Sequence, residues 1–99
     1  MKIVAITACP TGIAHTYMAA EQLEKTAKRL GHTIKVETQG SMGIENELST
    51  EDIKGAACVI LAADITVRDR DRFIGLPVVE VSVQEVIKHP DAVFDRLPQ

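Results

Sequence analysis

Aromatic residues are scarce in this chain of 99 residues, which holds one tyrosine, two phenylalanines and no tryptophan. Basic residues are few as well, 11 against 14 acidic ones, and they form no block. A nucleic-acid platform needs both stacking surface and positive charge, so that class is disfavoured. Long apolar runs are also missing. Stretches such as Ala56 to Ala63 are too short to cross a bilayer, and the N-terminus lacks a signal-peptide layout. Two cysteines, Cys9 and Cys58, give no framework for a secreted disulfide scaffold, and both are expected to stay reduced in a cytoplasm. No His/Cys spacing resembles a metal site, and no repeat, low-complexity segment or linker divides the sequence.

The remaining composition is that of a globular domain, 45% hydrophobic and 25% charged with a net charge of −3. Residues 1–99 are expected to form a single domain. Lys2 to Ala8 is apolar on both faces, as in a central parallel strand. From Ala14 to Leu30, Thr16, Ala20, Leu23, Ala27 and Leu30 share one helical face, with Glu21–Lys25 and Glu24–Lys28 spaced for surface pairs. Gly31 is a C-terminal cap. Thr33 to Glu37 reads as a second strand nearer an edge, and Thr38 to Ser49 as a long polar loop. Ser49 or Thr50 caps a short helix, Ala57 to Ala63 is a wholly apolar third strand, and Asp69 to Phe73 is a charged turn. A fourth strand runs from Leu76 to Val81, Ser82 caps a helix to about Lys88, and Pro90 opens a last helical piece to about Arg96. This alternation predicts an α/β fold, a three-layer α/β/α sandwich on a parallel sheet.

Cys9 ends the first strand and is followed at once by Pro10-Thr11-Gly12-Ile13-Ala14-His15-Thr16 and the first helix. Backbone N–H groups at a helix start favour negative charge, which biases a thiol there toward thiolate and cradles an oxyanion attached to it. The chemistry suggested is a cysteine that accepts a phosphoryl group. In open α/β sheets ligands bind beyond the carboxyl ends of the strands, which brings Thr38-Gln39-Gly40 and Asp64 to the same end as Cys9. Gln39 and Asp64 are therefore accessory candidates, although an Asp at a strand end is equally a turn former.

Cysteine phosphatases use a loop of the form Cys, five residues, Arg, Ser/Thr. This chain has that frame with His15 in the arginine position, and a histidine does not reproduce the bidentate grip of a guanidinium on phosphate. Thr11 and Thr16 add hydroxyls beside the loop, and Thr16 also fits the core-facing row of the helix. Cys58, between apolar neighbours, reads as a core residue. Arg68 to Arg72, alternating in sign, reads as a solvated face. Three classes stay open on these residues alone. A phosphoryl-transfer protein loads from a phosphohistidine, a cysteine phosphatase turns over aryl phosphates, and a regulatory binding module does neither.

The segment Ile6-Thr7-Ala8-Cys9-Pro10-Thr11-Gly12-Ile13-Ala14-His15-Thr16-Tyr17-Met18-Ala19-Ala20-Glu21 resembles the signature of fructose-type IIB domains of the phosphoenolpyruvate-dependent sugar phosphotransferase system. Glu37-Thr38-Gln39-Gly40-Ser41, Gly43-Ile44-Glu45-Asn46 and Ala62-Ala63-Asp64 are similar to later segments of that family, and the likeness covers essentially the whole chain. The resemblance implies that 1–99 is one fructose-type IIB domain, a stand-alone subunit or one excised from a larger permease. It implies a Rossmann-like fold with a four-stranded parallel sheet of order 2-1-3-4 and helices on both faces. It also implies that Cys9 is the phosphorylation site, held by Pro10 through Thr16, and that no cofactor is needed. The donor would be a phosphohistidine on a IIA component. The acceptor would be fructose or a fructose-like sugar in a membrane IIC component, through which the cytoplasmic chain associates with the inner face of the plasma membrane.

Overall fold

The computed structural model describes residues 1–9, 13–40 and 43–98. Its sheet is built on β1 (Lys2–Ala8), whose residues 3 to 8 are all buried. β2 (Thr33–Gly40) lies parallel to β1 on one side and β4 (Cys58–Ala63) parallel to it on the other, with β5 (Val78–Val81) parallel to β4. These four strands keep the expected order 2-1-3-4. A fifth, β3 (Gly43–Glu45), pairs antiparallel with β2, so the sheet is mixed and five-stranded rather than four-stranded.

That extra strand corrects the loop expected over Thr38 to Ser49. β2 continues past Glu37 because Thr38 and Gln39 are buried within the sheet, and three residues then return alongside it. So short a strand leaves no periodic signal in the sequence. The fourth parallel strand is also shorter than expected, Val78–Val81. Pro77 has no N–H to give a ladder, although its carbonyl accepts from Val59 N–H at 3.0 Å.

The two faces of the sheet are covered unequally. α1 (Ile13–Arg29), α3 (Val83–Lys88) and α4 (Pro90–Asp95) pack on one face, where Ile3, Ala5, Cys9, Cys58 and Ile60 meet Ala20, Leu23, Ala27, Val86 and Phe94. On the other, Val4, Ile6, Val59 and Leu61 are covered by Leu48, Val67, Phe73 and Ile53 of the short α2 (Thr50–Lys54). Leu30, expected on the buried face of α1, is exposed, because α1 ends at Arg29 and Gly31 turns the chain with φ of 81°.

Local chemistry sets the helix ends. Ser49 caps α2 and Ser82 caps α3, each in a reciprocal capping box with Asp52 or Glu85. Lys35 bonds Asp52 at 2.7 Å, and with the Ser49 N–H it holds the Asp52 carboxyl well below the usual range. Glu21 and Lys25 form the expected surface pair at 2.8 Å.

Cys58 is a core residue, with 0% exposure, and burial pushes its thiol pKa up. Cys58→Ser is expected to lower stability by roughly 1–3 kcal/mol, because a hydroxyl enters an apolar site that offers it no good acceptor. Denaturant unfolding measures this; an unchanged midpoint would move Cys58 out of the core.

Candidate functional site at the end of the central strand

β1 has neighbours on both sides, and the chain goes to β2 on one side before crossing back to β4 on the other. The crevice beyond the carboxyl end of β1 is therefore the switch point of the sheet, the usual ligand position in this architecture. Cys9 occupies it. It is 8% exposed and lies in the chain between the end of β1 at Ala8 and the start of α1 at Ile13.

Pro10, Thr11 and Gly12, three of the expected loop residues, lie outside the described residues. Ile13 is the first residue of α1, Ala14 is exposed, His15 is half-buried and Thr16 is buried with 3% exposure. α1 has no acidic residue in its first turn and carries Lys28 and Arg29 in its last. No acidic side chain of that first turn offsets the positive end of the helix dipole, which faces back along the chain toward Cys9.

The accessory candidates divide. The Asp64 N–H donates to the Ala8 carbonyl at 3.0 Å, so Asp64 lies against the strand end that leads into Cys9. Its carboxylate is exposed, and Oδ1 accepts a long bond of 3.4 Å from Val83 N–H at the start of α3. Asp64, Thr66, Arg70 and Ser82 line an open cleft of about 600 Å³ whose described walls come from β4, β5 and the segment after β4, with Arg70 paired to Glu80. Gln39 is 4% exposed and stands in register with Ala8. Its amide is used structurally. Oε1 accepts from Arg68 N–H at 2.8 Å, while Nε2 donates to the Arg68 carbonyl at 3.2 Å and to Glu37 at 2.7 Å.

Glu37 was not singled out from the sequence, and it anchors this arrangement. It has 0% exposure, two residues before Gln39 and on the same face. Arg72 grips it bidentately at 2.8 and 2.6 Å, and Leu48 N–H donates to it at 2.9 Å. Burial pushes its carboxyl pKa up, but the bonds from Arg72, Gln39 and Leu48 outweigh that and hold it below the ordinary 4.5. The Arg68 to Arg72 run is thus not simply a solvated face. Arg72 is turned inward, and its Nε also donates to the carbonyl of Asp69, which takes a left-handed φ of 56°. The available signal was a Glu and a Gln two apart on a strand beside the central one, since a buried carboxylate requires a partner.

This fold and site define a small α/β protein with a cysteine at an anion-favouring strand-to-helix turn. A family model described as "PTS system, Lactose/Cellobiose specific IIB subunit" matches residues 4–96, and the chain belongs to this PTS IIB family. It is 51% identical over 96 residues to the "PTS system fructose-like EIIB component 2" of Escherichia coli K12, covering 97% of this chain and 91% of that protein. It is 48% identical to part of the "PTS system fructose-specific EIIABC component" of Bacillus subtilis, covering 96% of this chain and 15% of that longer protein. A crystallised domain of the fructose-specific IIABC component from Borrelia burgdorferi superposes with a TM-score of 0.91 at 48% identity, covering 97% of this chain and 94% of that domain.

Arg72→Met is expected to destabilise the chain by about 3–5 kcal/mol, since it leaves a buried carboxylate without its cation. The stabilisation that Glu37 provides is fully present above 4.5, its value in the unfolded chain, and is lost as pH falls through the lower folded value. Glu37→Gln should therefore flatten the fall in stability below that pH. Urea unfolding across the acid range would show it, and curves of equal steepness would dissociate Glu37 from acid sensitivity.

Proposed function

We propose that this chain is the phosphoryl carrier of a fructose-type sugar phosphotransferase system, with Cys9 as its covalent acceptor. The observation that carries the reading is Cys9 itself, at the switch point of the sheet, four residues ahead of Ile13, the first residue of a 17-residue helix with no acid in its first turn. The 99 residues act as one IIB domain. Their partners are those implied by relatives in which the letters A, B and C are joined in one component. Among the described residues no helix is long and apolar enough to cross a membrane. The chain works in the cytoplasm and meets the inner face of the membrane through IIC.

The reaction has two balanced steps. The Cys9 thiolate attacks the phosphorus of a IIA phosphohistidine; the S–P bond forms, the N–P bond breaks, and the imidazole leaves with the electron pair. A sugar hydroxyl held by IIC then attacks the same phosphorus, losing its proton to a base on that side. The S–P bond breaks and the thiolate returns. Between the steps, backbone N–H groups from Thr11 through Thr16 spread the phosphoryl charge.

Carriage rather than hydrolysis is supported by the residue at position 15 and by the pairing of four of the five arginines. His15 stands where a cysteine phosphatase has arginine, and Arg29, Arg70, Arg72 and Arg96 are each paired with a carboxylate. The bidentate clamp that would hold a phosphoryl group for attack by water is not assembled by those four.

Cys9→Ser is expected to abolish loading from phosphorylated IIA while leaving the melting temperature close to wild type, because the thiol is replaced at the rim of the core. Intact-mass spectrometry counts the phosphoryl groups gained. A serine variant that still gains one group within the 9–16 loop would overturn the assignment.

A further inference from the structure

Among the described residues, the buried side-chain oxygens with no hydrogen-bond partner are Oγ1 of Thr7 and Oγ1 of Thr16. They lie in one interface. Thr7 alternates with Ile3, Ala5 and Cys9 on the face of β1 that meets α1, and Thr16 precedes Ala20, Leu23 and Ala27 on the face of α1 that meets the sheet. Both occupy the end of that interface where β1 stops and α1 starts. Thr16 belongs to the loop already proposed to hold the phosphoryl group. Thr7 does not. It is a strand residue with 0% exposure, in register with Thr38 and Ala62, and no element of a phosphate loop requires a hydroxyl there.

A hydroxyl in a close-packed apolar interface destabilises the fold when it donates to nothing. Valine has nearly the same shape and suits a central strand better, so packing alone does not account for threonine. What the position does supply is a donor two residues from Cys9 on the same face. We propose that the Thr7 hydroxyl is reserved for the negative charge that Cys9 bears during transfer. This inference rests on the reading of Cys9 as the acceptor. When the sulfur becomes thiolate or gains its phosphoryl group, the Thr7 hydroxyl, two residues away on the same face, donates to that charge, and a hydrogen bond to a charged acceptor is about twice as strong as a neutral one. The proton stays on Thr7 throughout, and no covalent bond to it is made. Thr7 is thus a charge-stabilising residue whose orphaned hydroxyl in the unloaded protein is satisfied on loading.

The test uses readouts on which a packing role and a functional role have opposite signs. Thr7→Val, Thr7→Ser and Thr7→Ala are made in the full chain and loaded from a fructose-type IIA component carrying phosphohistidine. Loading rate and melting temperature, loaded and unloaded, are measured, and peptide mapping locates the phosphoryl group. Thr7→Val is expected to be at least as stable as wild type when unloaded. It should load about tenfold more slowly, and loading should raise its melting temperature less than it raises that of wild type. Serine should behave as threonine and alanine as valine, so this pair decides the matter if the valine variant does not fold. Wild-type loading rate and an undiminished melting shift in Thr7→Val, or serine and alanine variants that behave alike, would overturn the proposal while Cys9 remains the acceptor. A phosphoryl group mapped elsewhere in wild type would remove the acceptor reading and this inference together.

Discussion

A carboxylate with no exposed surface sits in the middle of β2, and how the chain satisfies it determines where its irregular parts go. Glu37 brings a charge into the interior, which is unfavourable by several kcal/mol before any compensation. The compensation comes from well-separated parts of the sequence, Arg72, Gln39 and the Leu48 N–H. Well-packed hydrophobic residues of similar volume often match a buried ion pair in stability, so the pair is no argument for exceptional stability. Its effect is positional. The segment between β4 and β5 has only a single short 3-10 turn, Arg70–Phe73, and the Glu37–Arg72 pair with the Gln39–Arg68 clamp fastens it over the second face. Val67 and Phe73 then close over Val4 and Ile6.

The same fastening reaches the candidate site. The segment starts at Asp64, whose N–H is bonded to the Ala8 carbonyl, and it returns to β2 at Arg68, held by Gln39 opposite Ala8 in register. The end of β1 is thus held from both neighbouring strands just before Cys9. A strand end held on both sides keeps its last side chain in place. Gln39 and Asp64 contribute through this support, since their hydrogen bonds run to backbone and to Glu37.

Much of this was legible because apolar periodicity and caps are local signals. The order of the parallel strands followed from the family resemblance, Ser82 was readable as a cap, and Ser49 was one of two candidates, beside Thr50, for the cap of α2. Cys58 in an unbroken apolar run reads as core, and the structure buries it. What escaped was non-local. A three-residue strand has no period, so Gly43–Glu45 was hidden in an apparent loop. Arg72 stood in an alternating charge run that looks solvated, and only its partner 35 residues earlier reveals that it turns inward. Leu30 kept the helical period one residue beyond the helix, where Gly31 and not periodicity decides the ending. Thr7 looked like an ordinary strand residue, because a missing hydrogen bond is a property of the packed interface and not of the sequence.

Phosphoryl carriage by cysteine places two demands on one site that pull in opposite directions. The sulfur must be reachable by two large partners in turn, yet the loaded group must not be given to water. At 8% exposure Cys9 is near the core and still at its rim, which meets the first demand only for a donor that fits the turn. The second is met by selecting how the charge is stabilised. A guanidinium would stabilise the transferring group whatever the acceptor, and four of the arginines are bound to carboxylates elsewhere in the fold. On the proposed reading of Cys9, backbone amides and hydroxyls would spread the charge of a phosphocysteine with less pull on the equatorial oxygens. On the reading proposed here, the acceptor and its base must then come from the partner, so transfer awaits docking. The Thr7 hydroxyl, in the role proposed for it, belongs to the same logic, because a neutral donor would steady the sulfur as nucleophile and as leaving group without recruiting water.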